Sequence, residues 1–197
     1  MTAGMGPYAV MRSRPVLSMG RFEVGAIEPA DIELIRQWRN DQMDVLRQSR
    51  PITAQEQEAY FARAIWPDKA ADQPSNILLG IYDQGQLVGY GGLVHILWDY
   101  SRAEISFLLA SDIAEDTSLV AELFAAWVRL MQQLAFEDLG LSRLTTETYA
   151  MRQMHIRLLE EAGFQREGLL RQHVIVHGQA MDAVVHGCLY SDLKATP

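Results

Sequence analysis

Residues 76–109 read NILLGIYDQGQLVGYGGLVHILWDYSRAEISFLL, and this stretch decides the fold. Two apolar runs, 76–82 and 86–97, flank Asp83-Gln84-Gly85, a hairpin signal. A third strand is expected at 102–109. It places Ala103, Ile105, Phe107 and Leu109 on one face and Glu104 and Ser106 on the other. A carboxylate in mid-strand, between otherwise apolar faces, is costly to bury unless it is paired or used.

Working outward, 117–138 carries the strongest helical stripe of the chain. Val120, Leu123, Phe124, Trp127, Leu130, Met131 and Leu134 repeat at helical spacing, and Gly140 stops the helix. A strand at 143–149, a helix at 151–162 ended by Gly163, and strands at 169–176 and 181–189 joined through His177-Gly178-Gln179 complete the C-terminal half. Before the central strands lie a short strand at 21–26, a helix opened by Pro29 and Asp31, and a second short helix near 42–48. Thr53 and Glu56 form a capping-box pattern for a helix to about residue 65, which Trp66-Pro67 is expected to end. Residues 1–20 mix Gly, Pro and Arg without an apolar core. They read as a flexible arm, or as residues upstream of a later start such as Met19, and not as a secretory signal.

The chain has 197 residues, 49% of them hydrophobic, with 17 Lys+Arg against 25 Asp+Glu and a net charge of −8. That fits a single α/β (α+β) domain over 21–193, large enough to fold without a disulfide or metal staple. The acidic balance argues against a nucleic-acid partner, and the apolar stretch at 87–98 is too short and too glycine-rich for a membrane span. The expected location is cytoplasmic. One cysteine, Cys188, excludes a disulfide framework and reads as a small core residue. No phosphate loop, dinucleotide fingerprint or nucleophile elbow is present. His173 and His177 sit in a strand-like context, where four residues span about 13 Å, so no metal site is expected.

Two places carry candidate chemistry. Glu104 is either a solvated or paired carboxylate, with Arg102 or Arg143 as partner, or a general base lining a cleft. The segment 147–155 joins a strand end to a helix start, where ligands gather. Within it, His155 shares a helix face with Met151, Leu159 and Ala162, so it is either a satisfied core histidine or a catalyst. Tyr149 is equally open, a buried phenol with one hydrogen bond or a proton donor.

Over residues 21–189 the chain resembles the GNAT superfamily of acyl-CoA-dependent N-acetyltransferases, in particular its ribosomal-protein N-terminal and amino-sugar (pseudaminic-acid-type) branch. The resemblance rests on Leu34-Ile35-Arg36-Gln37-Trp38-Arg39-Asn40 followed by Ile52 to Phe61, and on Leu87-Val88-Gly89-Tyr90-Gly91-Gly92-Leu93. Arg102-Ala103-Glu104-Ile105-Ser106-Phe107 and the helix ending in Gly163-Phe164, with Glu167-Gly168 after it, complete it. It implies a mostly antiparallel twisted sheet of about seven strands flanked by helices. A V-shaped split between 102–109 and 143–149 would hold acetyl-CoA as acyl donor, with no metal. Backbone groups of Phe107, Leu108 and Leu109 would receive the pantetheine arm, and the loop 111–118, including Ser111, Thr117 and Ser118, the pyrophosphate. Glu104 would be the base.

The loop departs from the family's R/Q-x-x-G-x-G/A pattern. It has neither glycine nor arginine and carries Asp112, Glu115 and Asp116. Leu159 stands where the family's thiolate-protonating tyrosine falls, which leaves His155 as acid with Tyr149 as alternative. Arg152 stands at a position often Asn, free to reach a CoA phosphate. The implied acceptor is a small primary amine, an amino sugar ahead of a protein N-terminus. A module without catalysis is the rival reading, and the C-terminal strand pair is a candidate homodimer surface.

Overall fold

The computed structural model describes residues 6–194. Its single sheet has eight strands: β1 (Val16–Met19), β2 (Phe22–Ala26), β3 (Ile77–Asp83), β4 (Gln86–Leu97), β5 (Arg102–Leu109), β6 (Arg143–Tyr149), β7 (Gln165–Val176) and β8 (Gln179–Leu189). They lie in the order β1-β2-β3-β4-β5-β6-β8-β7, antiparallel throughout except where β5 meets β6. Helices α1 (Ile32–Asp41), α2 (Ala54–Tyr60) and α3 (Trp66–Ala70) fall between β2 and β3. Helix α4 (Thr117–Gln132) follows β5, α5 (Gln153–Glu161) follows β6, and α6 (Tyr190–Lys194) ends the described chain.

Alternation along β5 explains the layers. Ala103, Ile105 and Leu109 join the core built on the α4 stripe, with Leu123, Trp127, Leu130 and Leu134. Leu108 faces the other way, into the core that Ile35, Trp38, Phe61 and Ile65 form on the opposite side of the sheet. Helix α4 continues through a π-helical turn, Gln133–Asp138, and this 22-residue stretch is apolar enough to span a membrane by length and composition. Here its stripe is the centre of the protein core.

Three expectations are corrected. The expected arm at 1–20 is, from Tyr8 onward, part of the fold: Tyr8 is fully buried and its hydroxyl accepts the Leu78 N–H at 2.9 Å. Leu17 on β1 is buried too, and β1 pairs along β2, which brings the expected sheet of about seven strands to eight. Residues 1–5 lie outside the described residues. Pro67 does not end the helix that the capping box opens. A π-helical turn, Phe61–Ile65, resets the helical register, and Pro67 then sits in the first turn of α3, where it needs no hydrogen-bonded N–H. The expected helix at 42–48 is one 3-10 turn, Met43–Val45, inside an extended loop. The capping box does form, with the Thr53 hydroxyl accepting the Glu56 N–H and the Glu56 carboxylate accepting the Thr53 N–H.

Candidate active site

Strands β5 and β6 are parallel neighbours only at Arg102–Arg143, Ala103–Leu144 and Glu104–Thr145. Beyond Glu104 they part, each held by its outer partner, β4 on one side and β8 on the other. The expected split is therefore present, and it opens into a cavity of about 620 Å³ lined by both arms. The Ala110 N–H bonds to the Val88 carbonyl on β4, so backbone alternation turns Phe107 and Leu109 toward the gap. The Leu109 carbonyl already accepts from the Gln42 side chain at 2.8 Å, while Leu108 points its side chain into the core.

Glu104 stands where the arms separate. Neither Arg102 nor Arg143 pairs it, and Arg143 instead pairs Glu167. Its partner is Arg47, from the loop after α1, whose Nη2 donates at 2.5 Å. Arg47 also stands 3.8 Å from Glu147 on β6, so one guanidinium spans a carboxylate from each arm. Burial opposes the Arg47 charge, but the two carboxylates outweigh it and raise its pKa. A histidine attends each carboxylate: His95 Nδ1 lies 3.1 Å from Glu104, and His173 Nε2 lies 3.4 Å from Glu147. Both come from irregular strand segments. Register shifts between Val94 and Leu97, where His95 has φ 51°, and between Leu170 and Val174, where Gln172 has φ 51°. Bulges of this kind re-aim a side chain.

Arg47, Glu147 and His95 are not singled out by the sequence, and His173 is weighed there only as a metal ligand. Glu147 lay within the quoted segment 147–155, whereas bulges and a loop crossing leave no periodic signal.

Tyr149 and His155 face the same cavity. Tyr149 is 6% exposed, packs with Val176 and Ala183, and burial raises its pKa, so the phenol holds its proton. His155 packs edge-on against Phe124 with ring centres 4.6 Å apart, and its Nε2 lies 2.7 Å from the Arg152 guanidinium. Arg152 can only donate, so the ring nitrogen accepts. Burial first, and the Arg152 charge second, push the His155 pKa down to about 3. The expectation of an imidazolium acid is thereby corrected: near neutral pH the ring is uncharged.

The same shift sets a pH dependence. The unfolded histidine gains a proton below about 6.5 and the folded one does not, so stability falls with pH from 6.5 toward 3. At full effect the slope is roughly 1 kcal/mol per pH unit. His155→Gln is expected to flatten the decline of Tm between pH 6.5 and 4.5. An unchanged slope in a thermal-melt series contradicts that assignment.

Within the loop 111–118, part of the hydrogen-bonding capacity is already engaged. The Asp116 carboxylate caps α4, accepting the N–H groups of Ser118 and Leu119 at 3.0 Å each. The Ser111 hydroxyl donates to Asp41 at 2.8 Å, and Thr117 is exposed at the first turn. An amide expected to meet a pyrophosphate is thus taken by an internal anion, as the first turn of a helix favours. Among the described residues no group of three or more His, Cys, Asp or Glu side chains is placed to hold a metal ion.

Comparison with known proteins accords with this geometry. No curated protein matches the chain at a significant level. Among solved structures, spermidine N-acetyltransferase from Vibrio cholerae in complex with CoA and spermine is 19% identical. It covers 87% of this chain and 97% of its own, with a TM-score of 0.75. A structure titled probable acetyltransferase is 24% identical, covers 90% and 98%, and has a TM-score of 0.69. At these identities the likeness is one of fold. The expected ribosomal-protein or pseudaminic-acid branch gains no support from these neighbours, which fixes the assignment at the level of the superfamily. The acetyltransferase (GNAT) domain profile matches residues 24–185, most of the sequence. The chain belongs to the acetyltransferase (GNAT) domain family.

Proposed function

We propose that the protein acetylates the primary amine of a small molecule, with an amino sugar as the favoured acceptor, by direct attack within a ternary complex. The observation that carries this is Glu104, a carboxylate at the parting of β5 and β6 and on the wall of the cavity both arms line. Glu104 accepts the ammonium proton, directly or through water, and the neutral amine attacks the thioester carbonyl. A β5 amide facing the gap near Phe107–Leu109 stabilises the oxyanion. The Tyr149 phenol, which holds its proton, supplies one to the departing thiolate. The wall is polar as well as apolar, with Asn76, Gln57, Thr146 and Arg39 among its side chains, which suits a hydroxylated acceptor. A polyamine is the second reading, supported by the paired carboxylates Glu104 and Glu147 and by neighbours titled spermidine N-acetyltransferases.

The test is release of free CoA from acetyl-CoA with a panel of amino sugars, polyamines and an N-terminal peptide. Acetylation confined to the peptide, or no release above hydrolysis with any amine, overturns the reading. The donor side has its own test. Asp116→Asn keeps a helix cap and removes a charge from the loop that would meet the pyrophosphate. Removing a charge there is worth about 0.3–1 kcal/mol. Its KM for acetyl-CoA is expected to fall about two- to five-fold. A higher KM would move the phosphates away from this loop.

A further inference from the structure

The cavity lining holds three arginines against three carboxylates, a local balance in a chain that as a whole carries −8. Three carboxylates line the cavity, and each has a guanidinium within ion-pair distance: Glu56 with Arg50, Glu104 with Arg47, and Glu147 with Arg47. Three arginines line it as well, and only Arg47 is among those pairs. Arg39 spends its donors on neutral atoms, the Tyr90 hydroxyl at 2.8 Å and the Gln48 side-chain carbonyl at 3.1 Å. Arg152 donates to the uncharged His155 ring at 2.7 Å. Among the described residues neither Arg39 nor Arg152 has a carboxylate within 4.0 Å. Asp44 acts on Arg152 from beyond that distance and stands 3.9 Å from His177.

A guanidinium withdrawn from water without a counter-ion is unfavourable, and Arg152 is partly buried enough that desolvation lowers its pKa. Cations of this kind lining a cavity match a ligand that brings its own anion. Guanidinium also pairs carboxylate and phosphate through two parallel hydrogen bonds.

We infer that the acceptor carries an oxyanion, a carboxylate or a phosphate, in addition to its amine, and that Arg152 binds it in the cavity, with Arg39 as a separate cationic contact for the rest of the acceptor. This rests on the proposed acetylation of a small amine and names the acceptor class. Arg152 and Arg39 are then specificity residues that reject polycations and select amines of balanced or negative charge. The alternative source of an oxyanion is the CoA diphosphate. Arg152 lines the same cavity as Glu104 and Glu147 and also as Phe107 and Leu108, so the KM for acetyl-CoA separates the two sources.

The test uses the full chain, acetyl-CoA, and two matched acceptor pairs: glucosamine with glucosamine 6-phosphate, and butylamine with 4-aminobutyrate. Spermidine is added as the polycation. In at least one pair the anionic member is expected to show a kcat/KM at least ten-fold above its neutral partner and above spermidine. Arg152→Gln is expected to abolish that preference and Arg152→Lys to keep part of it. Arg39→Gln, with circular dichroism on every variant, guards against reading a folding defect as lost specificity. Equal or better use of the neutral amines or spermidine overturns the inference while leaving amine acetylation intact. A ten-fold rise in the KM for acetyl-CoA in Arg152→Gln, with acceptor preference retained, also overturns it and assigns the arginine to the donor. Thermal shift without acetyl-CoA reads the subsite separately from turnover. Stabilisation by glucosamine 6-phosphate and not by glucosamine, lost in Arg152→Gln, supports it even if no amine is acetylated. Equal shifts from both sugars, or from neither, count against it.

Discussion

Glu104→Gln is expected to lower kcat by about 10²–10⁴-fold at saturating acetyl-CoA and amine, the usual contribution of a positioned general base. The substitution keeps size and polarity but cannot take the ammonium proton. It also weakens the bond from Arg47 and the contact with His95. Those partners are half-exposed or more, with side-chain exposures of 53% and 68%, and exposed pairs contribute only about 0–1 kcal/mol. For a domain of this size that is a Tm change of at most about 4 °C. A large kinetic loss with a near-native melt therefore separates the chemical role from a structural one. Glu147→Gln is the comparison, since Glu147 meets the same Arg47 guanidinium from the other arm. Retention of kcat within three-fold in Glu104→Gln removes Glu104 from the chemistry.

Gly92→Ala is expected to produce the largest loss of stability of any single methyl addition in the sheet. Gly92 has φ 146°, and a Cβ there would stand 1.8 Å from the Ile77 carbonyl oxygen on β3. Its neighbour is hardly freer: a Cβ on Gly91 would lie 2.2 Å from the Ser106 carbonyl oxygen on β5 and 2.8 Å from the Trp127 ring. Backbone atoms on both sides leave no flexible neighbour to give way, so β4 must shift within a packed core. Such strain belongs to the rare class of substitutions costing about 4 kcal/mol or more. A Tm drop of roughly 10 °C or more follows, or failure to accumulate folded protein. Gly140→Ala is the control, because Gly140 has φ 67° and open space around it. It bears only the left-handed penalty of about 1–2 kcal/mol. Equal melts for the two variants contradict the packing account.

How far the sequence reached depends on the range of the interaction that sets each feature. Residues 102–109 alternate, and β5 has those bounds. Asp83 to Gln86 close the β3–β4 hairpin through Gln84 and Gly85, both at positive φ. The α4 stripe and the Thr53–Glu56 capping box formed as read, because neighbours within four residues determine them. Tyr8 was missed because one buried aromatic and a four-residue strand have no period, and their partners lie across the sheet. Pro67 misled because a local helix breaker was reset by a π turn.

The same division runs through the site. Local alternation and helical spacing alone determined the mid-strand placement of Glu104 and the inward face of His155, whereas the split between β5 and β6 was implied by the family resemblance. Only the tertiary structure decided what those groups are. It set Arg47 from a loop against Glu104 and Glu147, and it buried His155 beside Arg152, which makes its ring an acceptor rather than an acid. It turned Asp116 onto the start of α4 and, among the described residues, left Arg39 and Arg152 without a carboxylate within 4.0 Å. Charge state and hydrogen-bond direction depend on burial and on partners distant in the chain, and neither leaves a periodic trace in the order of residues.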